Sequence, residues 1–221
     1  MRHIFFIGVI LTSLTGCIGV GRYTKIVEKG LANRPAVDTT LSRDYITVKS
    51  NGIKPLEAIK VETLKSQCIP ALVYWNIEQE IRSEYDPYMQ VKRFSYFLNQ
   101  YCDSVNFASR LKGKKLEINV ESIPNSFSYS LKSQAFIFGF FYTVMGHEGI
   151  IPAPQEFCIR FKVYQDGNLY KGGTYTGKGL EQYVDMGLMS YQSMVNAYFK
   201  QNDKSLRKMA ELVVKYVDEV I

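Results

Sequence analysis

The chain has 221 residues and a formal net charge of +6. Hydrophobic residues make up 46% and aromatics 14%, with sixteen Tyr and thirteen Phe, which excludes a disordered chain and favours a β-rich domain with apolar faces. Lys and Arg are spread along the sequence, so the positive excess reads as a solvated surface with no nucleic-acid site, and anionic lipid head groups are the natural alternative partner.

Arg2 gives the chain a positive start, Ile4–Leu11 is a short apolar run, and Leu14-Thr15-Gly16-Cys17 supplies the small-residue end that a signal peptidase needs. The run is too short to cross a bilayer. The tetrad resembles the lipobox of bacterial lipoproteins, in which the cysteine is acylated and becomes the first residue of the mature chain. The resemblance implies a signal peptide over residues 1–16 and a lipid anchor on Cys17. Ile18 stands where an inner-membrane retention Asp would sit in enterobacterial lipoproteins, so the resemblance points to the outer membrane, facing the periplasm. Several acyl chains on one residue hold far more firmly than a single myristoyl chain.

Cys68, Cys102 and Cys158 remain, an odd number in an oxidising compartment. None is at C-x-x-C spacing, so no zinc site is expected and buried, inert thiols are. Between Ile18 and about Arg43 no period is sustained and basic residues outnumber Glu28. This predicts a lipidated basic tether over residues 17–43, ahead of a single domain over residues 44–221.

Within that domain, Asp44–Lys49, Ala58–Leu64 and the apolar run Ile69–Trp75 read as the first strands. Asp86-Pro87 is a helix start, because Asp can cap free N–H groups and Pro at the first helical position loses no bond. Val91, Phe94, Leu98, Tyr101 and Val105 then recur every three or four residues, and Lys112–Lys115 makes a basic turn. Leu116, Ile118 and Val120 alternate as a strand with one wet face. Ala135–Met145 is apolar on both faces and predicts one central strand. Phe157–Val163, the turn at Asp166-Gly167 and Leu169–Thr176 form a hairpin. Two stripes, Leu180–Tyr198 and Leu206–Val220, predict two C-terminal helices split near Asn202-Asp203. The fold class is α+β: an antiparallel or mixed sheet with helices on one face.

No catalytic constellation emerges. Gly172–Lys178 matches G-x-x-x-x-G-K, but Gly179 follows where a P-loop needs Ser or Thr, so a glycine-rich strand-to-helix turn is expected. His147-Glu148 starts like H-E-x-x-H, but Ile151 stands at the second His, and a polar loop is the plainer reading. Glu78, Glu80, Glu84 and Asp86 form an acidic group that a glycoside-type hydrolase could use. Tyr170, Tyr175, Tyr183, Tyr191 and Tyr198 suit a half-wet partner surface. No cofactor or metal is expected.

The order of elements resembles small periplasmic lipoproteins that assist outer-membrane assembly or serve ABC-type lipid transporters. The resemblance implies a non-enzymatic accessory lipoprotein, held by its acyl anchor, that binds an envelope protein complex or lipid. An envelope hydrolase acting through Glu78–Glu84, or a module binding lipid or peptide between sheet and helices, is the alternative.

Overall fold

The computed structural model describes residues 17–37, 43–70, 74–138, 141–178, 183–185, 187 and 189–221; the predicted signal segment lies outside them. In chain order the elements are α1 (Val20–Ala32), β1 (Ile46–Lys49), β2 (Lys60–Pro70), β3 (Tyr74–Glu84), α2 (Pro87–Ser104) and α3 (Phe107–Leu111). They continue as β4 (Lys115–Ser122), β5 (Ser126–Phe138), β6 (Phe141–Pro152), β7 (Glu156–Gln165), β8 (Asn168–Lys178), β9 (Val184–Asp185) and α4 (Tyr191–Val220). The fold is α+β, as the patterning predicts, with a mixed sheet and an antiparallel one.

The mixed sheet has the order β1-β4-β7-β8, with β1 parallel to β4 and the rest antiparallel. Its apolar side comes from alternation: Leu116, Ile118 and Val120 on β4, and Phe157, Ile159, Phe161 and Val163 on β7, are all buried. These residues pack against Val91, Phe94 and Leu98 of α2 and against Leu206, Val213 and Val217 of α4. Helix α2 starts where the sequence says it should, with Asp86 accepting a bond from the Tyr88 N–H at 3.0 Å and Pro87 opening the first turn. The β7–β8 turn has φ +50° at Asp166 and +81° at Gly167, the left-handed pair that a two-residue hairpin demands.

The second sheet has the order β2-β3-β5-β6-β9. It is built from two long hairpins, β2–β3 inserted between β1 and α2, and β5–β6 inserted between β4 and β7. The segment Ala135–Met145 therefore belongs to two strands rather than one central strand. Near its base this sheet buries Ile81, Tyr129 and Ile150 beneath Tyr23 and Val27 of α1 and Met194, Tyr198 and Phe199 of α4.

The expected tether is corrected by α1. Tyr23 and Val27 are fully buried, and a Cβ on Gly30 would sit 2.5 Å from Val195 Cγ1, so a glycine lets α1 lie against α4. Of the basic residues that suggested a solvated linker, Arg22, Lys25 and Lys29 occupy the outer face of this helix, while Arg34 beyond its end is buried against Asp203.

The two expected C-terminal helices are one helix of 30 residues, about 45 Å long. Residues 184–185, placed by the sequence in the first of them, instead form β9 on the edge of β6. Asn202-Asp203, which looked like a break, is a polar knot inside the helix packing. Asn202 Oδ1 accepts from Gln90 Nε2 at 2.8 Å, while Asp203 accepts from Arg93 Nε at 2.8 Å and also from Arg34. Polar residues stay in mid-helix here because buried partners from α2 and the end of α1 satisfy them.

Candidate functional site

Beyond the helices, the second sheet continues outward as four antiparallel strands. Residues two apart on a strand share a face, and paired residues on neighbouring strands share it too. Register therefore fixes both faces. Cys68, Ile77, Ser133 and Gly146 form one cross-strand row, and Trp75, Ala135 and Val144 lie two residues further out on the same face. This apolar face continues the side that buries Ile81 and Tyr129 at the base. The opposite face carries the row Gln67, Glu78, Lys132 and His147, then the row Ile69, Asn76, Gln134 and Met145, and then Tyr74, Phe136 and Thr143, so it is mixed in character.

Charge stops at the row through Glu78 and Lys132. From there to the tips, Ser66–Ile77 and Ser133–Gly146 contain no Asp, Glu, Lys or Arg. The paired part of β5 beyond that row, Ser133–Phe138, is about 20 Å long at ~3.4 Å per residue. Apolar side chains stand in the open there: Val144 is 58% exposed, Met145 56%, and Ile69 and Phe136 41% each. Tyr74 and Phe136 pack across the strands with tilted rings, their centroids 4.8 Å apart. Apolar surface concentrated in one exposed region marks an interaction site.

The start of the described chain meets this sheet at the level where charge ends. The Ile18 N–H donates to Gln79 Oε1 at 3.0 Å, and Gln79 Nε2 donates to the Ile18 carbonyl at 2.9 Å. Gln79 lies two residues from Ile77 on the apolar face, so Cys17 emerges beside it. Partial burial raises the Cys17 thiol pKa, and the nearby Cys68 sulfur adds to the rise. Cys17 and Cys68 are both exposed and unpaired, so the expectation of buried thiols holds for Cys102 and not for Cys68.

The acidic group runs along β3, where Glu78 and Glu80 share a face, to the start of α2. Glu78 is held by Lys65, which lowers its pKa, and Glu84 pairs with Arg82 at 3.0 Å. Asp86 is spent on the cap of α2 and on the Leu56 N–H, at 3.1 Å. His147-Glu148 lies within β6 rather than in a loop, and Glu148 accepts from the Tyr129 hydroxyl. The run Gly172–Lys178 is strand, paired along its length with β7, and not a turn; a Cβ on Gly173 would meet the Phe161 ring at 2.8 Å. Among the described residues no group of three or more His, Cys, Asp and Glu could hold a metal. The described residues include an open cleft of about 440 Å³ beside Ile53 and Pro87 and another of about 300 Å³ beside Arg34 and Asn196.

The five tyrosines do not form one surface. Tyr170 and Tyr175 lie on β8, the first under the Lys114 ammonium, 4.0 Å from the ring centroid, and the second against Tyr216. Tyr183 lies by His147 and Tyr191 packs on Tyr129 at the other sheet. Tyr198 is buried, its hydroxyl 3.3 Å from that of Tyr85, which rules it out as a contact residue. The extended hairpins were missed because strand by strand they read as ordinary β-structure. The available signal was the pair of long uncharged stretches at similar distances from charged strand bases.

The chain matches no protein-family model, no curated protein and no solved structure.

Proposed function

We propose that this chain is a non-enzymatic envelope lipoprotein, acylated at Cys17 and exposed to the periplasm, whose partner is the outer membrane itself: it seats the outer part of its four-stranded sheet in lipid. The observation that carries this reading is the uncharged, exposed sheet beyond the Glu78–Lys132 row, apolar on the face that adjoins Cys17. Acyl chains on Cys17 and side chains such as Trp75 and Val144 would then share one hydrocarbon layer, with the charged row at the head groups. The pinning of Ile18 to Gln79 supports this arrangement, since it leaves little slack between an acylated residue and the sheet.

No described helix is long and apolar enough to cross a membrane, a fact that says nothing about crossing by strands. The outer band is uncharged on both faces and apolar on the one beside Cys17, which suits antiparallel strands in a membrane barrel, whose apolar band is about 25 Å tall. Such a protein would serve envelope assembly or transport by placing its two helix-backed sheets at the periplasmic surface of the bilayer.

The test separates the sheet from the lipid. Residues 17–221 carrying Cys17→Ala, produced without acylation and mixed with phospholipid vesicles, should float with the vesicles and resist extraction by high salt and alkaline carbonate. Protein that stays in the dense fraction, or that salt releases, would refute seating of the sheet.

A further inference from the structure

A four-stranded sheet seated in hydrocarbon has two bare edges, and bare backbone N–H and C=O groups in lipid cost several kcal/mol each, so membrane-spanning sheets are closed. Four strands are too few to close, since the smallest membrane barrels have about eight.

How the edges are guarded shows where closure occurs. Near the body, β6 is covered by β9 through Gly149↔Asp185 and Ile150↔Val184. On the opposite edge, the base of β2 carries Lys60, Glu62 and Lys65 and is interrupted by a bulge between Thr63 and Lys65, both common defences against edge pairing. Outward of these features both defences stop. β2 from Ser66 and β6 beyond His147 are uncharged, and among the described residues neither has a strand on its outer side. The edges are guarded by charge, bulge and β9 where they face water, and by none of these over Ser66–Ile69 of β2 and Phe141–Gly146 of β6, with Pro70 closing the β2 stretch.

Strand direction fits closure as well. Because β2–β3, β3–β5 and β5–β6 are all antiparallel, β2 and β6 run in opposite directions. The β6 edge of one copy can therefore meet the β2 edge of the next in the same antiparallel sense, a head-to-tail contact that closes into a ring.

We infer that copies of this chain pair β6 to β2 and close their extended sheets into one β-barrel of four strands per copy, from at least two copies. The inference rests on the membrane reading above. It places Trp75, Ala135 and Val144 on the lipid side and Asn76, Lys132 and Gln134, together with Ile69, Phe136 and Met145, towards the lumen, with no reaction involved.

The test uses the full-length lipidated protein in its native membranes, with Cys68→Ser to remove the native edge thiol. Ile69→Cys is combined in turn with Thr143→Cys, Met145→Cys or His147→Cys, three positions on the same face of β6 that span shifts in register. After mild oxidation, at least one double variant should give a ladder of covalent oligomers ending in one largest species, while each single variant gives no ladder. Detergent-extracted wild type should have a mass that is an integral multiple, two or more, of the monomer. Monomers throughout, in the crosslinking and in the wild-type mass alike, would overturn the barrel. If that monomeric protein still resists carbonate extraction, the membrane reading survives and only the oligomer fails. If the unacylated chain does not bind vesicles at all, both fail.

Discussion

Gln79 holds both backbone groups of Ile18, accepting from its N–H at 3.0 Å and donating to its carbonyl at 2.9 Å. One buried side chain on β3 thereby does for residue 18 what a strand partner would do, and it fixes the residue next to Cys17 on the apolar face of the sheet.

Replacing this side chain tests the anchoring directly. Gln79→Ala leaves two buried backbone groups without partners, and each unmade buried bond costs ~1–3 kcal/mol. Limited proteolysis should then cut ahead of α1 several-fold faster than in the wild type, with the remaining domain intact. An unchanged cleavage rate would show that Ile18 is held by other contacts.

The knot between the two cores should be the more sensitive to mutation. Arg93 and Arg34 are 8% and 6% exposed and both face Asp203. Asp203→Ala takes the counter-charge from two buried guanidinium groups, leaving Arg34 with Gln90 and Asn202 and Arg93 with the Pro35 carbonyl as neutral acceptors, and removing one partner of such a pair costs ~3–5 kcal/mol. Urea unfolding should show a loss of that order, with a smaller loss for Asp203→Asn, which keeps an acceptor. Equal stability of all three proteins would contradict the role given to the knot.

Alkali gives a further test. Burial pushes the Cys102 thiol from an ordinary 9.0 up to about 12. The unfolded chain releases this proton at a lower pH than the folded one, so stability should fall as pH rises through the interval from 9.0 to about 12. Burial also raises Tyr85 and Tyr198, which act in the same direction. Cys102→Ala should flatten the decline in the urea midpoint over the lower part of this interval without removing it. An identical decline in both proteins would exclude Cys102 as a contributor.

Two neighbouring residues on β6 separate the faces. Val144 and Met145 are similarly exposed but point to opposite sides of the sheet. A Lys on the lipid side of a membrane strand costs ~2–4 kcal/mol at mid-depth, whereas one on the inner side is tolerated. Val144→Lys should lower vesicle affinity by roughly tenfold or more, and Met145→Lys should leave it nearly unchanged, with both proteins equally stable in solution. Equal loss in the two would remove the assignment of faces.

Much of the mixed sheet was legible in the sequence because each element carried its own local signal. Asp86-Pro87 caps α2, the alternation at Leu116–Val120 and Phe157–Val163 marks β4 and β7, and Asp166-Gly167 supplies the turn. What could not be read depended on distant partners. α1 is the exception, since Tyr23, Ile26, Val27, Gly30 and Leu31 recur at helical spacing and face α4 and the second sheet, a stripe that the basic residues between them obscured. Asn202 and Asp203 stay helical because Gln90, Arg93 and Arg34 arrive from elsewhere. Of the tyrosines at Tyr183–Tyr198, only Tyr191 and Tyr198 lie on α4, and there the spacing reports packing, as buried Tyr198 shows. For the candidate site, the apolar character of Ala135–Met145 was visible, but its meaning was not. Only the register between two hairpins separated by α2, α3 and β4 shows four strands ending in one uncharged band.

The most direct test of the membrane reading uses the sole tryptophan, Trp75, which lies on the apolar face within that band. Its fluorescence would be recorded with the unacylated Cys17→Ala chain and vesicles containing lipids brominated along the acyl chain. Insertion predicts a blue-shifted emission on vesicle addition and strong quenching by the brominated lipid relative to the unbrominated one. Emission unchanged by vesicles and insensitive to bromine would place Trp75 in water and contradict the account.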